Sequence, residues 1–501
     1  MTLRLRLDDT EPLYRQIYSR LRRAIEAGRL SAGELLPSSR ALAATLSVSR
    51  NVVLIAYAQL EAEGYVRGRT GAGTYVSQGL PQPPTNRARS RGSAPSDAQP
   101  RRLSAFGKRL LNEARAWNDE PRTPARWDFT VGMLASEDFP ARDWQRSLRD
   151  AARVSRTVYG PSEGVDELRR EILRYLTISR GVTADPEQVV VTTGVRQGYD
   201  LTLRLLVDRG GGVVLENPGF PPAAAWTRAH GATPIPLPVD RDGIQPEPLT
   251  RIRAGQLAYL TPSHQYPTGA ILSLPRRRAV LEWATKSGCA IFEDDYDAEF
   301  QYAVRPIPAL QGLAPRAVVY AGSMAKVLSP ALRIGFLIVP SDLVDAFRAA
   351  KRGSDRQTSA LLQRTVANFM ADGSFTRHLR RQRVRYRARR AALVDAITAE
   401  LGAWPAVGGA EAGLQLLVTL RDVPVAREAE LVRSAAALGV RVEGAASCFS
   451  APPPNAALLL GFAATPEASI PEGIRRLARV VRDVRRAAPG GGTRRSSGRT
   501  G

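Results

Sequence analysis

A stretch rich in proline, serine, arginine and glycine, running from Gln78 to Arg126, interrupts the chain of 501 residues. It includes PQPPTNRARSRGSAPSDAQPRR and shows little apolar periodicity, so it cannot bury enough apolar surface to fold alone. The sequence therefore predicts a flexible basic linker over residues 78–126. This linker would separate a folded domain at residues 1–77 from a larger one at residues 127–484.

Charge and cysteine content narrow the class of protein. The formal net charge is +23, which favours polyanionic partners such as nucleic acid, although an arginine-rich solvated surface also fits. Cys289 and Cys448 are far apart, which argues against a disulfide scaffold or a zinc site and fits a reducing cytosol. We find no secretion signal and no apolar run of the ~20 residues that cross a bilayer. Residues 485–501 contain no acid and are predicted to form a disordered basic tail.

The first domain shows three helical patterns and a ribbon. Apolar residues recur every fourth position between Pro12 and Gly28, and shorter helical patterns follow at Ser39 to Leu46 and Ser49 to Glu63. The glycine-punctuated stretch Gly64 to Val76 predicts a short β-ribbon. Two helices joined by a turn and followed by a ribbon predict a winged helix-turn-helix, whose second helix enters the major groove of DNA.

The start of that second helix has the side chains that suit DNA contacts. Ser49 is placed to cap it, and Arg50 and Asn51 can contact phosphates or base edges. The segment ELLPSSRALAATLSVSRNVVLIAYAQLEAEGYVRGRTGAGTYVS closely resembles the winged-helix domain of the GntR family of bacterial regulators. The resemblance implies double-stranded DNA as a partner, with contacts from Arg40, Ser49, Arg50, Asn51, Arg69 and Gly71. Val52 replaces the threonine usual in that family.

After Trp127 the chain alternates short β-branched runs with longer amphipathic stretches. This order predicts an α/β domain with a largely parallel sheet covered by helices, and the apolar runs Leu414 to Leu420 and Ala456 to Phe462 suggest a small α+β subdomain at its C-terminal end. The predicted strands of the sheet are Val189 to Thr192, Gly212 to Glu216, Leu257 to Leu260, Ala290 to Glu293, Val318 to Tyr320 and Ile334 to Val339.

Candidate residues for a pyridoxal phosphate site occur in this domain in a consistent order. The cofactor needs a lysine, an acid opposite its ring nitrogen, donors around its phosphate and an aromatic face. Lys326 lies in YAGSMAKVLSPALRIGF, where Ser323 three residues before it and Arg333 seven residues after it resemble the lysine motif of fold-type I aminotransferases. In that family these two residues hold the phosphate. A further phosphate cradle is expected at Gly194, Val195 and Arg196, where a strand meets a helix N-terminus.

The same resemblance assigns the remaining residues. It implies that Asp294 holds the ring nitrogen protonated and that Tyr296 bonds the ring hydroxyl, although acids at a strand end also suit magnesium. It places Phe220 on the cofactor ring, and it implies that Tyr159 reaches the phosphate of a partner subunit in a homodimer. His264 and Tyr266, in TPSHQYPTG, are further candidates for cofactor or ligand contact.

Together the two halves resemble the MocR/GabR-type regulators, in which a winged helix is fused to an aminotransferase-like domain. The arginine that holds the substrate carboxylate in aminotransferases is absent, because Leu459 takes its place in ALLLGFA and Pro222 stands where GABA-responsive relatives have a second arginine. We therefore expect a domain that senses an amine, an amino acid or pyridoxal phosphate itself. The alternative is a working aminotransferase that uses another cation, such as Arg196.

Overall fold

The computed structural model describes residues 11–69, 72–78, 102–114, 125–154, 158–252, 255–302, 307–409 and 411–487. Contacts between Cα atoms divide the chain into two compact units, residues 1–101 and 102–501. Each unit has its own buried core.

The first unit is a three-helix domain with a two-stranded ribbon. Its elements are α1 (Leu13–Glu26), α2 (Ser39–Leu46), α3 (Arg50–Ala62), β1 (Val66–Arg69) and β2 (Gly73–Val76). The two strands pair antiparallel. The winged helix-turn-helix predicted from the sequence is confirmed in this order of elements.

The core of this unit follows from the four-residue spacing of apolar side chains on its helices. Ile17 and Leu21 of α1 are fully buried against Leu42 of α2 and against Val53 and Leu60 of α3. At the start of α2, the Ser38 hydroxyl accepts a hydrogen bond from the Ala41 backbone N–H. Ser49 occupies the corresponding position before α3, but its side chain makes no capping hydrogen bond, so the predicted cap is absent.

The second unit contains fourteen strands and twelve helices among its described residues. The helices are α4 (Ala105–Ala114), α5 (Ala141–Arg153), α6 (Asp166–Arg180), α7 (Val195–Leu206), α8 (Pro221–His230), α9 (Leu274–Ser287), α10 (Leu310–Leu313), α11 (Val344–Asp355), α12 (Ala360–Ala371), α13 (Ser374–Leu401), α14 (Glu428–Ala437) and α15 (Ile470–Arg486). The strands are β3 (Trp127–Asp128), β4 (Val189–Thr192), β5 (Gly212–Asn217), β6 (Thr233–Asp240), β7 (Gly243–Ile244), β8 (Gly255–Leu260), β9 (Ala290–Asp294), β10 (Val318–Ser323), β11 (Gly335–Ile338), β12 (Ala406–Gly408), β13 (Gln415–Pro424), β14 (Val440–Arg441), β15 (Glu443–Gly444) and β16 (Asn455–Gly461).

An eight-stranded sheet organises the larger part of this unit, in the order β4-β11-β10-β9-β8-β5-β6-β7. The pairs from β10 through β6 are parallel, whereas β11 runs antiparallel to both β10 and β4. Each predicted strand of the sheet is present, and the mixed, mostly parallel sheet is confirmed. Because β4 and the parallel strands point the same way, their carboxyl ends meet at one edge, where α/β proteins bind ligands.

Strand β6, with the sequence TPIPLPVD, escaped sequence analysis because three of its eight residues are proline. The prolines occupy every second position of the strand, at Pro234, Pro236 and Pro238. Because alternate residues of a strand direct their backbone groups to the same side, the three missing N–H donors are all on one side. This is expected where that side is an edge of the sheet. A partner strand there is limited to the two residues of β7.

A four-stranded antiparallel sheet, β12-β13-β16-β15, forms the core of the C-terminal subdomain with α14 and α15. This confirms the predicted small α+β subdomain. The two-residue strands β3 and β14 pair parallel, so the beginning of the unit joins this subdomain.

Helix α4 lies within residues 78–126 and corrects part of the predicted flexible linker. Arg109 of α4 donates from Nε to the Ala229 carbonyl oxygen at 3.0 Å, and Glu113 accepts two hydrogen bonds from Arg228 at 2.9 and 2.7 Å. These contacts fix residues 105–114 to α8 of the second unit. The sequence prediction missed α4 because it was based on the composition of residues 78–126 as a whole.

Two further limits of the domain prediction are visible. Helix α15 ends at Arg486, two residues past the predicted domain boundary, and most of the predicted tail lies outside the described residues.

Among the helices that the structure describes, none combines the length and the apolar character needed to cross a membrane.

Candidate functional sites

A cavity of about 940 Å³ opens at the carboxyl ends of the large sheet. Its wall contains most of the residues predicted for a cofactor site, although they come from distant parts of the chain. They are Gly194, Val195, Arg196, Phe220, Tyr266, Asp294, Tyr296, Ser323, Lys326 and Arg333. His264 and Tyr159 do not line it.

Lys326 follows β10 and lies within the cavity wall. Its Nζ is 3.3 Å from the carbonyl oxygen of Gly132, to which it donates. Burial lowers the pKa of the Lys326 amine, and the nearby carboxylates of Asp297 and Asp294 oppose that shift. A lowered pKa increases the fraction of neutral amine, which is the form that attacks a carbonyl carbon.

Gly132 was missed by sequence analysis because a lone glycine in a loop carries no motif. Its φ is +80°, and a Cβ atom built there would lie 2.1 Å from the Lys326 Nζ. A side chain at this position would occupy the space that the lysine amine needs.

Asp294 ends β9 with its carboxylate buried beneath the cavity. One oxygen, Oδ2, accepts a hydrogen bond from the Tyr259 hydroxyl, while Oδ1 has no partner among the described residues. Burial, reinforced by the charges of Asp295 and Asp297, raises the pKa of Asp294 to about 7. The orphaned oxygen is suited to accept a hydrogen bond from a donor on a bound ring, such as the N–H of a protonated pyridine nitrogen.

The N-terminus of α7 lies at a corner of the cavity whose geometry suits an anion. Gly194, which precedes the helix, has a φ of +119°, and a Cβ atom there would lie 3.1 Å from a guanidinium nitrogen of Arg333. The backbone N–H groups of a helix N-terminus attract negative charge, and Arg333 adds a full positive charge beside them. Ser323, at the end of β10, lines the same cavity.

Aromatic side chains form one wall. The ring of Phe220 lies nearly parallel to that of Tyr259, with centroids 6.5 Å apart, and meets the edge of Tyr266 at 5.3 Å. Tyr259 was missed because a tyrosine in an apolar strand is most often core. These flat apolar surfaces suit a planar ligand.

His264 does not line the cavity, and its predicted contact with a cofactor or ligand stays a prediction. Its ring is 2% exposed and lies behind Tyr296, with Nδ1 3.0 Å from both the Tyr296 hydroxyl and the Asp297 Oδ2. Sequence proximity to the TPSHQYPTG loop could not show that the imidazole turns inward. His264 is therefore placed to orient Tyr296 and Asp297.

Tyr159 also stands apart from the cavity. Its ring is 72% exposed, and the guanidinium of Arg356 lies 4.2 Å from its centroid. Its predicted contact with a partner subunit stays a prediction.

The part of the cavity wall near the small sheet contains apolar, acidic and basic side chains. Leu459, at the position expected for a carboxylate-binding arginine, is buried, and β15 places Glu443 directly opposite it. Both side chains line the cavity, as do Pro222 and Arg441. Arg441 lies 3.4 Å from Asp128 and is a cation that sequence analysis missed, because its two-residue strand has no recognisable pattern.

The first unit exposes the residues predicted to contact DNA. Arg40, Ser49, Arg50, Asn51 and Arg69 are all solvent-exposed, and Gly71 lies outside the described residues. Arg50 donates from Nε to the Ser39 hydroxyl at 3.2 Å, and the Arg69 guanidinium lies 5.1 Å from the ring centroid of Tyr75. These arginines are therefore oriented by neighbouring side chains while they remain accessible.

The fold and both sites define a class of protein in which a winged helix precedes an aminotransferase fold. Residues 13–76 match the family model of bacterial regulatory proteins of the gntR family, and residues 128–477 match aminotransferase class I and II. Among solved structures, the α-aminoadipate aminotransferase LysN from Thermus thermophilus, complexed with N-(5'-phosphopyridoxyl)-L-leucine, has a TM-score of 0.66 at 27% identity. That match covers 76% of this chain and 95% of LysN.

Curated relatives share both halves. The probable rhizopine catabolism regulatory protein MocR of Rhizobium meliloti is 37% identical over 475 residues, which cover 94% of each chain. The pyridoxine biosynthesis transcriptional regulator PdxR of Corynebacterium glutamicum is 31% identical over 76% of this chain and 78% of its own length. The chain belongs to the aminotransferase class I and II family and, with its gntR segment, to the MocR-type transcriptional regulators.

Proposed function

We propose that this regulator binds pyridoxal phosphate through Lys326 and that the occupied cavity controls how the winged helix binds its DNA site. The observation that supports the proposal most is the cavity itself. It brings together a half-buried lysine, an orphaned carboxylate oxygen, a helix N-terminus with an adjacent arginine, and an aromatic wall.

Each of these groups has a distinct task in holding the cofactor. Lys326 supplies the amine that attaches it, Asp294 holds the proton on its ring nitrogen, and Tyr296 faces its hydroxyl group. Arg333 and the α7 N-terminus neutralise the phosphate, with Ser323 beside them. When bound, pyridoxal phosphate supplies an electrophilic carbon to which an amine can add.

The effector that we propose is an amine, an unusual amino acid, or pyridoxal phosphate itself. Leu459 and Pro222 line the cavity where carboxylate-binding arginines are expected, and the Glu443 carboxylate opposite Leu459 disfavours a second anion there. Arg196 and Arg441 favour the alternative, a working aminotransferase, because either could hold a carboxylate.

A homodimer is also part of the proposal. The exposed ring of Tyr159 is accessible to a second subunit. The dimer would have two arrangements that place its winged helices differently. The effector then changes the DNA affinity if it binds more tightly to one arrangement than to the other.

Comparison of the full chain with its Lys326→Ala variant tests the cofactor and its regulatory role together. We expect near-visible absorption of the protein loaded with pyridoxal phosphate, and a DNA affinity that changes on loading. In Lys326→Ala the absorption should shift to that of unattached pyridoxal phosphate and the change of DNA affinity on loading should be lost. Both should be kept in Lys286→Ala, whose side chain is exposed and pairs with Glu282. An identical spectrum in Lys326→Ala and in the unsubstituted chain would contradict the proposed attachment.

A turnover assay separates the sensor from the enzyme. The loaded protein is incubated with amino donors and a keto acid, and the product is counted per protein. The sensor proposal expects no more than about one turnover, and sustained multiple turnover would establish the aminotransferase instead.

A further inference from the structure

The exposed face of α3 is apolar where the outer face of a helix is normally polar. Leu54 and Ile55 are each 44% exposed, and Ala58 is exposed beside them. The opposite face, with Val53 and Leu60, is fully buried in the domain core. The packing of the first unit therefore does not account for the apolar side chains on the outside.

These apolar residues share their face with the two polar residues predicted to contact DNA. Residues four apart on a helix lie one above the other, so Leu54 continues the row of Arg50, and Ile55 continues the row of Asn51. Ala58 continues the row of Arg50 and Leu54. The face thus has a polar N-terminal turn followed by an apolar patch, which we define as Leu54, Ile55 and Ala58.

Charge favours DNA over another protein surface as the occupant of this face. Residues 11–78 contain nine arginines and five glutamates. Arg50 borders the patch at the N-terminal end of α3, whereas Glu61 and Glu63 lie beyond it at the C-terminal end. Both glutamates already accept hydrogen bonds within the unit. Glu61 accepts one from the Gly68 N–H, and Glu63 accepts one from the Tyr18 hydroxyl. A polyanion can therefore approach the first two turns of α3 with a favourable charge.

We propose that the apolar patch contacts the 5-methyl groups of thymines in the major groove, with Leu54 as the principal contact. The thymine methyl is the apolar group that a base pair presents in this groove, and aliphatic side chains are its natural partners. Leu54 lies one helical turn from Arg50, so it reaches the base pairs adjacent to those that Arg50 contacts. The DNA site of this protein should accordingly contain A·T pairs next to the bases specified by Arg50 and Asn51.

The inference rests on the proposed binding of DNA, and its test separates the two. The full chain is used to select a binding site from a random double-stranded library. Each thymine of that site is then replaced singly by deoxyuracil, which removes the methyl group and keeps every hydrogen-bonding group. Loss of one buried methyl should weaken binding about fourfold at one or two positions.

A Leu54→Ala variant assigns that effect to its side chain. In Leu54→Ala the difference between thymine and deoxyuracil should disappear at the same positions. It should persist in Leu13→Ala, which shortens an exposed leucine of α1. Circular dichroism and thermal unfolding establish that both variants fold.

Each other outcome has a definite meaning. Failure to select any site would refute the proposed DNA binding itself. A selected site whose affinity is unaffected by deoxyuracil at every thymine would overturn the inference and leave DNA binding intact. A Leu54→Ala variant that changes the oligomeric state, with the thymine dependence unchanged, would assign the patch to a second copy of this chain and also overturn it.

Discussion

The two candidate sites of this regulator are built in opposite ways. The described residues that we predict to contact DNA lie on the outside of α2, α3 and β1, within thirty residues of one another in the chain. The cavity residues come from seven strands, from helices α7, α8 and α14, and from loops, and they extend from residue 130 to residue 459. A surface site tolerates small changes of volume, whereas a cavity built by close packing does not.

The largest effect that this difference predicts is at Gly194. Gly194→Ala places a methyl group 3.1 Å from the Arg333 guanidinium and forces an L side chain into a φ of +119°. We expect the free energy of pyridoxal phosphate binding to weaken by about 2–4 kcal/mol. Titration with the cofactor, followed by near-visible absorption, measures this change.

Gly353→Ala is the matched control, because the Cβ position of this α11 glycine has no atom of the described residues within 4 Å apart from its chain neighbours and the backbone of its own helix. Its cofactor affinity should equal that of the unsubstituted chain. Equal affinity in Gly194→Ala would show that the cavity is more tolerant than its packing indicates.

The second prediction concerns the exposed site. Arg50→Ala removes a cation and donor from the start of α3, and DNA affinity should fall by about 1–3 kcal/mol. The absorption of the bound cofactor should not change, since the two sites lie in separate units. Fluorescence anisotropy with labelled DNA checks the affinity, and Arg15→Ala, an exposed arginine of α1, should bind nearly as tightly as the original chain.

The same contrast explains what the sequence could predict. The winged helix has a continuous signature, so α1 to α3, the ribbon and the exposed arginines followed from local spacing. Among the cavity residues, one sequence motif contains Ser323, Lys326 and Arg333. The acidic residue at the end of β9 and the glycine before α7 could also be recognised in the sequence. Their meeting at one edge of the sheet follows from parallel topology.

Residues without a local pattern could not be predicted. Gly132 and Tyr259 act through contacts with Lys326 and Asp294, which lie far away in the sequence. The inward orientation of His264 depends on Asp297 and Tyr296, and helix α4 exists because it packs on α8. Tertiary contacts decided each of these cases.

A third prediction uses the buried carboxyl of Asp294. Its pKa is raised from 3.8 to about 7, so the folded chain holds this proton more tightly than the unfolded chain does. Between about pH 4 and about pH 7 the folded state then binds more protons. The contribution of Asp294 to the free energy of unfolding therefore falls as the pH rises, by at most about 1.4 kcal/mol per pH unit.

Urea denaturation of the cofactor-free protein at several pH values measures that slope. Asp294→Asn should show a shallower decline than the unsubstituted chain, and Asp395→Asn, an exposed carboxyl of α13, should retain the original slope. Parallel curves for Asp294→Asn and the unsubstituted chain would indicate that the carboxyl is ionised in the folded state throughout this range.

The smallest effect is expected where α4 packs on α8 within the second unit. Glu113 of α4 pairs with Arg228 of α8, and the Arg228 side chain is half exposed. Exposed ion pairs contribute little, so a double-mutant cycle of Glu113→Ala and Arg228→Ala should give a coupling energy of about 0.2–1 kcal/mol. Chemical denaturation of the two single variants and the double variant measures it. A value near zero would mean that α4 is held by the Arg109 contact and its apolar side chains, whereas a value well above this range would make the ion pair the main attachment of α4.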